Sequence, residues 1–390
     1  MPDPLDGLND AQAQAVTHLE GPALVIGGAG TGKSEALERR FAWLAAQGQQ
    51  PDAMLALSPS PTGATRLRAR IEELLEPPWE ELHITTLPDF CCRLLRDEAH
   101  EAGLDPFFSR VSRAERLALL LERIDDLTLR THEIRGNPVP LLVGFLERID
   151  VLKSEMIAAD DYVAYARELA QTTGEADDAA RANAAREGEF AGLYADHDRL
   201  LRESGGLDTG DLGLRAFGLL HERPDVRLRA SERFTHVLVD DFQDLNFAEG
   251  LVLRLLCQDH RRVWAAGDDD QGINRFRAAS RKNFRDFRRE YADATVFKLS
   301  ASHRCAGPIL AAAQSVVAGG GHPRIEKELR GPADGALRFW RCQSPRAEAQ
   351  AIAAAVEGLI QEGVEPVAIG VFVRSVREDG STLAAALEER

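Results

Sequence analysis

Over the first hundred residues, short apolar runs bounded by glycine, proline or polar clusters alternate with stretches of helical periodicity. Residues 22–26, 53–58 and 82–86 read as buried strands, and the stretches beginning at residues 35, 64 and 88 read as helices. Asn9 or Asp10 offers a helix cap ahead of the first strand. Strands separated by helical patterns predict βαβ units and a parallel sheet, hence an α/β fold. From about residue 104 to residue 220 strand-like runs nearly vanish, which predicts a helical insertion with helices near 114–127 and 141–152. Within it, residues 171–186 are acidic and poor in large apolar side chains and read as exposed and mobile. Strand patterning resumes at 234–240, 263–268 and 295–299, followed by a helix over 308–317. Strands at 337–340 and 367–373, with helices over 346–360 and 381–390, then predict the start of a second, incomplete α/β domain. The expected division is therefore 1–103 and 221–304 for the first domain, 104–220 for the insertion and 305–390 for the second domain.

Charge changes this picture only locally. The chain carries 47 Lys and Arg against 63 Asp and Glu, a formal charge of −16, which counts against a large nucleic-acid surface. One basic footprint stands out: Arg275, Arg277, Arg281, Lys282, Arg285, Arg288 and Arg289 lie in a single short stretch. A solvated helix face is the plain alternative for it. Cys91, Cys92, Cys257, Cys305 and Cys342 give neither a disulfide framework nor metal-ligand spacing, which suits a reducing compartment. With no secretory pattern and no apolar run of membrane-spanning length, the expectation is a cytoplasmic protein with no membrane partner.

The chemistry concentrates at the ends of the expected strands. Gly27-Gly28-Ala29-Gly30-Thr31-Gly32-Lys33-Ser34 completes a GxxxxGK[ST] pattern between an apolar run and a helix. Its glycines allow successive backbone N–H groups and the helix N-terminus to face a polyphosphate. Lys33 would reach the β- and γ-phosphates, and the Ser34 hydroxyl would complete a Mg²⁺ shell. Gln12, some twenty residues upstream, carries an amide able to read an adenine edge. Asp240 ends its strand and would hold Mg²⁺, with Asp241 placed to orient the attacking water; both could equally serve as caps or Asx turns. Gln271, after the next strand, could bond the γ-phosphate. Beside it, Phe276 lies between Arg275 and Arg277, a pattern suited to stacking a base with phosphates on the guanidiniums, or to a core aromatic on a charged face. His303 could stack on adenine, and Arg304 is a candidate arginine finger; a helix-cap histidine and a surface arginine are the alternatives.

Taken in order, these segments resemble the superfamily 1 DNA helicases of the UvrD/Rep/PcrA type. Residues 8–16 are similar to the family's LNxxQxxAV, 28–34 to GxAGTGKT, 240–246 to DEFQDxN, 267–279 to GDDDQSIYxFRGA, and 299–305 to LxxNYRS. The resemblance implies a RecA-like P-loop NTPase core with a helical insertion and an ATP-hydrolysing motor moving 3′ to 5′ on single-stranded DNA. Gln12 and His303 would then contact adenine, and Gly28, Ala29, Gly30, Thr31, Gly32, Lys33 and Ser34 the phosphates. Asp240 with Ser34 would hold Mg²⁺, and Asp241, Gln271 and Arg304 would act on the γ-phosphate. Phe276, Arg275 and Arg277 would bind single-stranded DNA or a junction. The departures are specific: Asp241 stands where the family has Glu, His303 where it has Tyr, and the segments 58–64 and 86–90 lack the family's DNA-contacting side chains. The family's later motifs belong beyond Arg390. These departures imply weak DNA binding and impaired hydrolysis by this chain alone, with a protein partner able to supply the other motor half. A non-motor nucleotide-binding partner protein is the alternative.

Overall fold

The computed structural model describes residues 3–77, 79–127, 129–132, 136–174, 177–273, 278–280, 282–320 and 324–390. Among the described residues eight strands form: β1 (Ala23–Gly27), β2 (Met54–Leu57), β3 (His83–Thr85), β4 (Ser109–Arg110), β5 (Gly206–Leu207), β6 (His236–Val239), β7 (Val263–Gly267) and β8 (Thr295–Leu299). Six of them make one parallel sheet in the order β3-β2-β6-β7-β1-β8. Every residue of β1, β2, β6 and β7 is buried, as a sheet covered on both faces requires. The period of two sorts their side chains cleanly. Leu24, Ile26, Leu55, Leu57, Val237, Val239, Val263 and Ala265 face one core, while Val25, Met54, Ala56, Leu238, Trp264 and Ala266 face the other.

The second face is covered by Ala15 and Val16 of the helix Asp10–Val16, by Leu37 and Phe41 of Lys33–Ala46 and by Leu67 and Ile71 of Pro61–Leu74. Trp264 anchors the first of these by donating its indole N–H to Ala15 O at 2.9 Å. The other face is covered by Leu87–Asp97, Thr209–Glu222, Pro224–Arg233, Phe247–Cys257 and Lys282–Glu290. The helix Thr209–Glu222 lies in the stretch expected to be insertion, yet Leu212, Ala216, Leu219 and Leu220 pack into the core of the sheet.

A separate helical core lies between. Leu120, Leu142, Phe145, Leu146, Ile149, Tyr162, Phe190 and Tyr194 bury one another across Arg113–Glu122, Val139–Ser154, Ala159–Thr172 and Asp178–Glu203. Its entry and exit are clipped together, because β4 pairs with β5 in parallel. A Cβ at Gly206 would collide with Val111 there, so the residue is small for close approach. The expectation of an exposed, mobile 171–186 is corrected in part. Asp178–Glu203 is one continuous helix, capped by Asp177 through the Ala180 N–H, and Ala184 is buried. Its alanines are strong helix formers, and small size sufficed for packing where large apolar groups were lacking.

The compact unit just described spans Met1–Asp334, and a second unit spans Gly335–Arg390. In the second, Pro345–Gln361 packs on Gly380–Glu388 through Ala349, Ala353, Leu383 and Ala386. The strands expected at 337–340 and 367–373 are not formed among the described residues. The apolar pattern is present, but no neighbouring segment of this unit pairs with it, and Phe339, Val367 and Phe372 stand 90%, 96% and 96% exposed. Alternation supplies a face, whereas a strand also needs a hydrogen-bonding neighbour.

Candidate functional site

Parallel pairing brings the carboxyl ends of β1, β6, β7 and β8 to one edge of the sheet, where ligands of open α/β sheets bind. The loop after β1 is shaped by its glycines. Gly30 and Gly32 have φ of 73° and 79°, in the left-handed region. A side chain on Gly27 would strike the Thr31 hydroxyl, and one on Gly32 would strike the Gln12 amide. Thr31 is fully buried and donates its hydroxyl to Gly28 O at 2.9 Å. Lys33, at the N-terminus of its helix, donates its ammonium to Gly27 O and Gly28 O, both at 2.9 Å, so it lies along the inside of the loop. Burial pulls its pKa below the ordinary value, against the opposing pull of Asp268, Asp241 and Asp240.

Asp240 follows the end of β6 and is buried, with the Ser34 hydroxyl near enough to favour its charged form. Its oxygen Oδ1 is buried with no hydrogen-bond partner. Burial, and then the neighbouring Asp241 carboxylate, push the Asp240 pKa up to about 6. A buried orphan carboxylate oxygen beside a serine hydroxyl is an oxygen set that would fit a divalent cation, and the buried lysine ammonium suits a phosphate rather than the metal. Asp241 takes φ of 46°, a left-handed conformation an aspartate tolerates, and so turns its carboxylate away from the strand direction. Gln243 holds it: Nε2 donates to Asp241 Oδ1 at 3.0 Å while Oε1 accepts from the Asp268 N–H at 2.9 Å. One side chain thus ties the loops after β6 and β7.

Gln271 ends the short turn Asp269–Gln271 and donates Nε2 to Asp268 Oδ2 at 2.7 Å. After β8, Ser302 donates its hydroxyl to Ala29 O at 2.7 Å and the His303 N–H donates to Gly30 O at 2.8 Å. This lays the exposed His303 and Arg304 against the loop, where a Cβ on Gly30 would meet Arg304. Gln12 is 2% exposed and already engaged: Oε1 accepts from Asn9 N at 3.0 Å and Nε2 donates to Thr31 O at 3.2 Å. One amide hydrogen and one lone pair remain for a ligand.

The structure therefore gathers Gln12, residues 28–34, Asp240, Asp241, Gln271, His303 and Arg304 at one edge. Arg275, Phe276 and Arg277 lie outside the described residues. Sequence reasoning missed Ser302, Gln243 as a bridge, and Lys327, whose ammonium lies 2.7 Å from Asp268 and 2.9 Å from Asp270 and also pairs with Asp269. A serine just before the His303-Arg304 pair was the only local signal for the first. Lys327 gave none, because it lies in a polar stretch of ordinary composition.

Comparison with known proteins points the same way. A family model described as the UvrD/REP helicase N-terminal domain matches residues 8–292. The ATP-dependent DNA helicase UvrD1 of Mycobacterium tuberculosis (strain ATCC 25618 / H37Rv) is 34% identical over 323 residues, covering 80% of this chain and 39% of that protein. The probable DNA helicase II homolog of Rickettsia felis is 28% identical over 91% of this chain and 51% of its own length. The ATP-dependent DNA helicase PcrA of Bacillus subtilis (strain 168) is 27% identical over 80% of this chain and 40% of its own. The chain spans about half the length of these relatives or less. Among the described residues no helix is long and apolar enough to cross a membrane. With the match running from before the phosphate loop to just short of β8, the chain belongs to the UvrD/REP helicase family.

Proposed function

We propose that this chain is the ATP-binding part of a DNA helicase or translocase, acting 3′ to 5′ on single-stranded DNA. The observation that carries the reading is that Lys33 lies along the inside of the glycine loop while the neighbouring Asp240 carboxyl keeps a buried Oδ1 without a partner. Lys33 leaves the loop carbonyls to bind the β- and γ-phosphates, and Ser34 with Asp240 holds Mg²⁺. Mg²⁺ held there would neutralise charge on the transferred γ-phosphoryl group and on the ADP that leaves. Asp241 orients the attacking water, Gln271 bonds the γ-phosphate and Arg304 brings a positive charge to it. Gln12 and His303 bracket the adenine. Phe276, with Arg275 and Arg277, stacks and neutralises single-stranded DNA, weakly for this chain alone.

Hydrolysis is slow in this reading, because Asp241 is one methylene shorter than the family's glutamate and its Oδ1 is drawn to Gln243. The same observation favours a second reading, a nucleotide-binding partner protein that no longer works as a motor. Phosphate release with and without single-stranded DNA separates the two. Asp241→Glu should raise turnover about tenfold if water positioning limits a working motor. No turnover in either form, with ATP still bound, would select the partner reading.

A further inference from the structure

Downstream of the helix Gly307–Ala318, residues 324–330 run back across the sheet edge and touch both loops of the phosphate site. At one end Arg324 donates Nε and Nη2 to Asp270, at 2.9 and 2.6 Å, and Ile325 N donates to Asp269 Oδ2 at 2.6 Å. At the other end Arg330 N donates to Ser300 O and Arg330 O accepts from Ser302 N, at 2.8 and 2.7 Å, extending the line of β8. Between them Leu329 lies on the phosphate loop, where a Cβ on Gly28 would collide with it. The Lys327 side chain, 2% exposed, ends among Asp268, Asp269 and Asp270.

Those three carboxylates offer oxygens within 4.8 Å of one another. Like charges that close repel strongly in a partly dry site, so a cation must sit among them to keep the turn intact. Lys327 is the cation that reaches all three, while Arg324 pairs with Asp270 from one side. Burial opposes its charge, but Asp268 and its two neighbours hold the pKa above the ordinary lysine value. The connection to chemistry runs through a single carboxylate. Asp268 Oδ1 takes the Lys327 ammonium while Asp268 Oδ2 takes the Gln271 amide. The Asp268 N–H is in turn held by Gln243, which also holds Asp241.

We propose that Lys327 is a positioning residue of the phosphate site: its ammonium fixes the turn that carries Gln271, and through it the preference for a triphosphate over a diphosphate. The proposal rests on the nucleotide reading above. It requires that Lys327 act on the γ-phosphate end only, since the residues bracketing the other phosphates lie on the β1 loop and its helix.

The test is equilibrium titration with ADP and with a non-hydrolysable ATP analogue, each with Mg²⁺, of the parent chain, Lys327→Met and Lys327→Arg. The parent should prefer the triphosphate. Lys327→Met should keep ADP affinity within about twofold and lower the triphosphate preference about tenfold, an ordinary size for coupling between neighbouring sites. Lys327→Arg keeps the charge and should stay within about threefold of the parent. Should Lys327→Met lose cooperative thermal unfolding, Asp269→Asn, which removes one of the three negative charges at nearly constant volume, should lower the preference about threefold. An unchanged preference in Lys327→Met, or in Asp269→Asn where that variant stands in for it, or a parent with none, overturns the role of Lys327 while ADP binding leaves the nucleotide reading standing. Equal loss of both nucleotides in Lys327→Met makes the lysine merely structural and also overturns it. A parent that binds neither nucleotide overturns the nucleotide reading itself, and the proposal with it.

Discussion

Two lysines among the described residues, Lys153 and Lys327, have their side chains covered and are each surrounded by three aspartates, but the acids are arranged differently. Lys153 is fully buried and lies 2.8 Å from Asp198, 2.9 Å from Asp208 and 2.7 Å from Asp211. Lys327 is 2% exposed and meets Asp268, Asp269 and Asp270. The difference lies in where the acids come from. Around Lys153 they come from the long helix Asp178–Glu203 and from the cap and first turn of Thr209–Glu222, so the ammonium joins the helical core to a helix of the sheet. Arg116, His197 and Asp150 complete that cluster, and among the described residues none of the loop 27–34 pairs with it. Around Lys327 the three acids are consecutive in one turn, and the next residue is Gln271. A dispersed set of acids locks elements together, whereas a local set shapes one loop.

The comparison breaks most visibly at Lys153. Lys153→Met should destabilise the chain by about 3–5 kcal/mol, because it removes the ammonium that Asp198, Asp208 and Asp211 share, of which Asp208 also pairs with Arg116. Thermal unfolding would read this. Nucleotide affinity, measured on the fraction still folded, should stay near that of the parent. A loss of affinity with little loss of stability would reverse the roles assigned to the two lysines.

Lys33→Ala tests the functional side directly. Removing the ammonium should weaken binding of a labelled ATP analogue about a hundredfold, the size of a lost charge-assisted contact of roughly 3 kcal/mol. Stability should change little, since the hydrogen bonds of the Lys33 ammonium among the described residues go to the loop carbonyls Gly27 O and Gly28 O. Affinity equal to the parent's would remove the phosphate loop from the reading altogether.

The two lysines also mark how far sequence reasoning reaches. The phosphate loop was legible because its spacing, its preceding apolar run and its following helix are all local features, and Asp240 was legible as a carboxylate ending such a run. The six sheet strands were legible for the same reason. Lys327 was not, because its role depends on a chain reversal that returns residues 324–330 to the sheet edge. Leu329 against Gly28 and Ser302 against Ala29 were hidden for the same reason. The opposite error came at 337–340 and 367–373, where apolar patterning invited strands that no neighbour in that unit pairs with. At 171–186, acidity suggested exposure, while the helix-forming tendency of alanine prevailed over 178–186.

A pH series separates both lysine clusters from a buried base that has no acid partner among the described residues. His236 begins β6, is 8% exposed, and is surrounded by positive or neutral groups; burial, then Arg40, Arg262 and His260, depress its pKa to about 4. Its unfolded value is 6.5. Above pH 6.5 the ring is neutral in both states, so its contribution to stability is fully present. As pH falls from 6.5 towards 4 the unfolded chain takes up a proton that the folded chain refuses, and stability is lost. Below about 4 both states are charged and the loss levels off. Other groups titrate across this range, among them Glu38 and Glu249, both raised to about 7 by burial, and they act in the opposite sense. The comparison must therefore be made between the parent and His236→Gln. The gap in unfolding free energy between the two should shift by roughly 2 kcal/mol in favour of the variant from pH 7 to pH 4, with most of the shift below pH 6.5. A gap that stays constant with pH would mean that His236 accepts its proton in the folded sheet. The acid sensitivity would then have to come from the paired carboxylates around the lysines, such as Asp208, which Lys153 and Arg116 hold down to about 2 against the cost of burial.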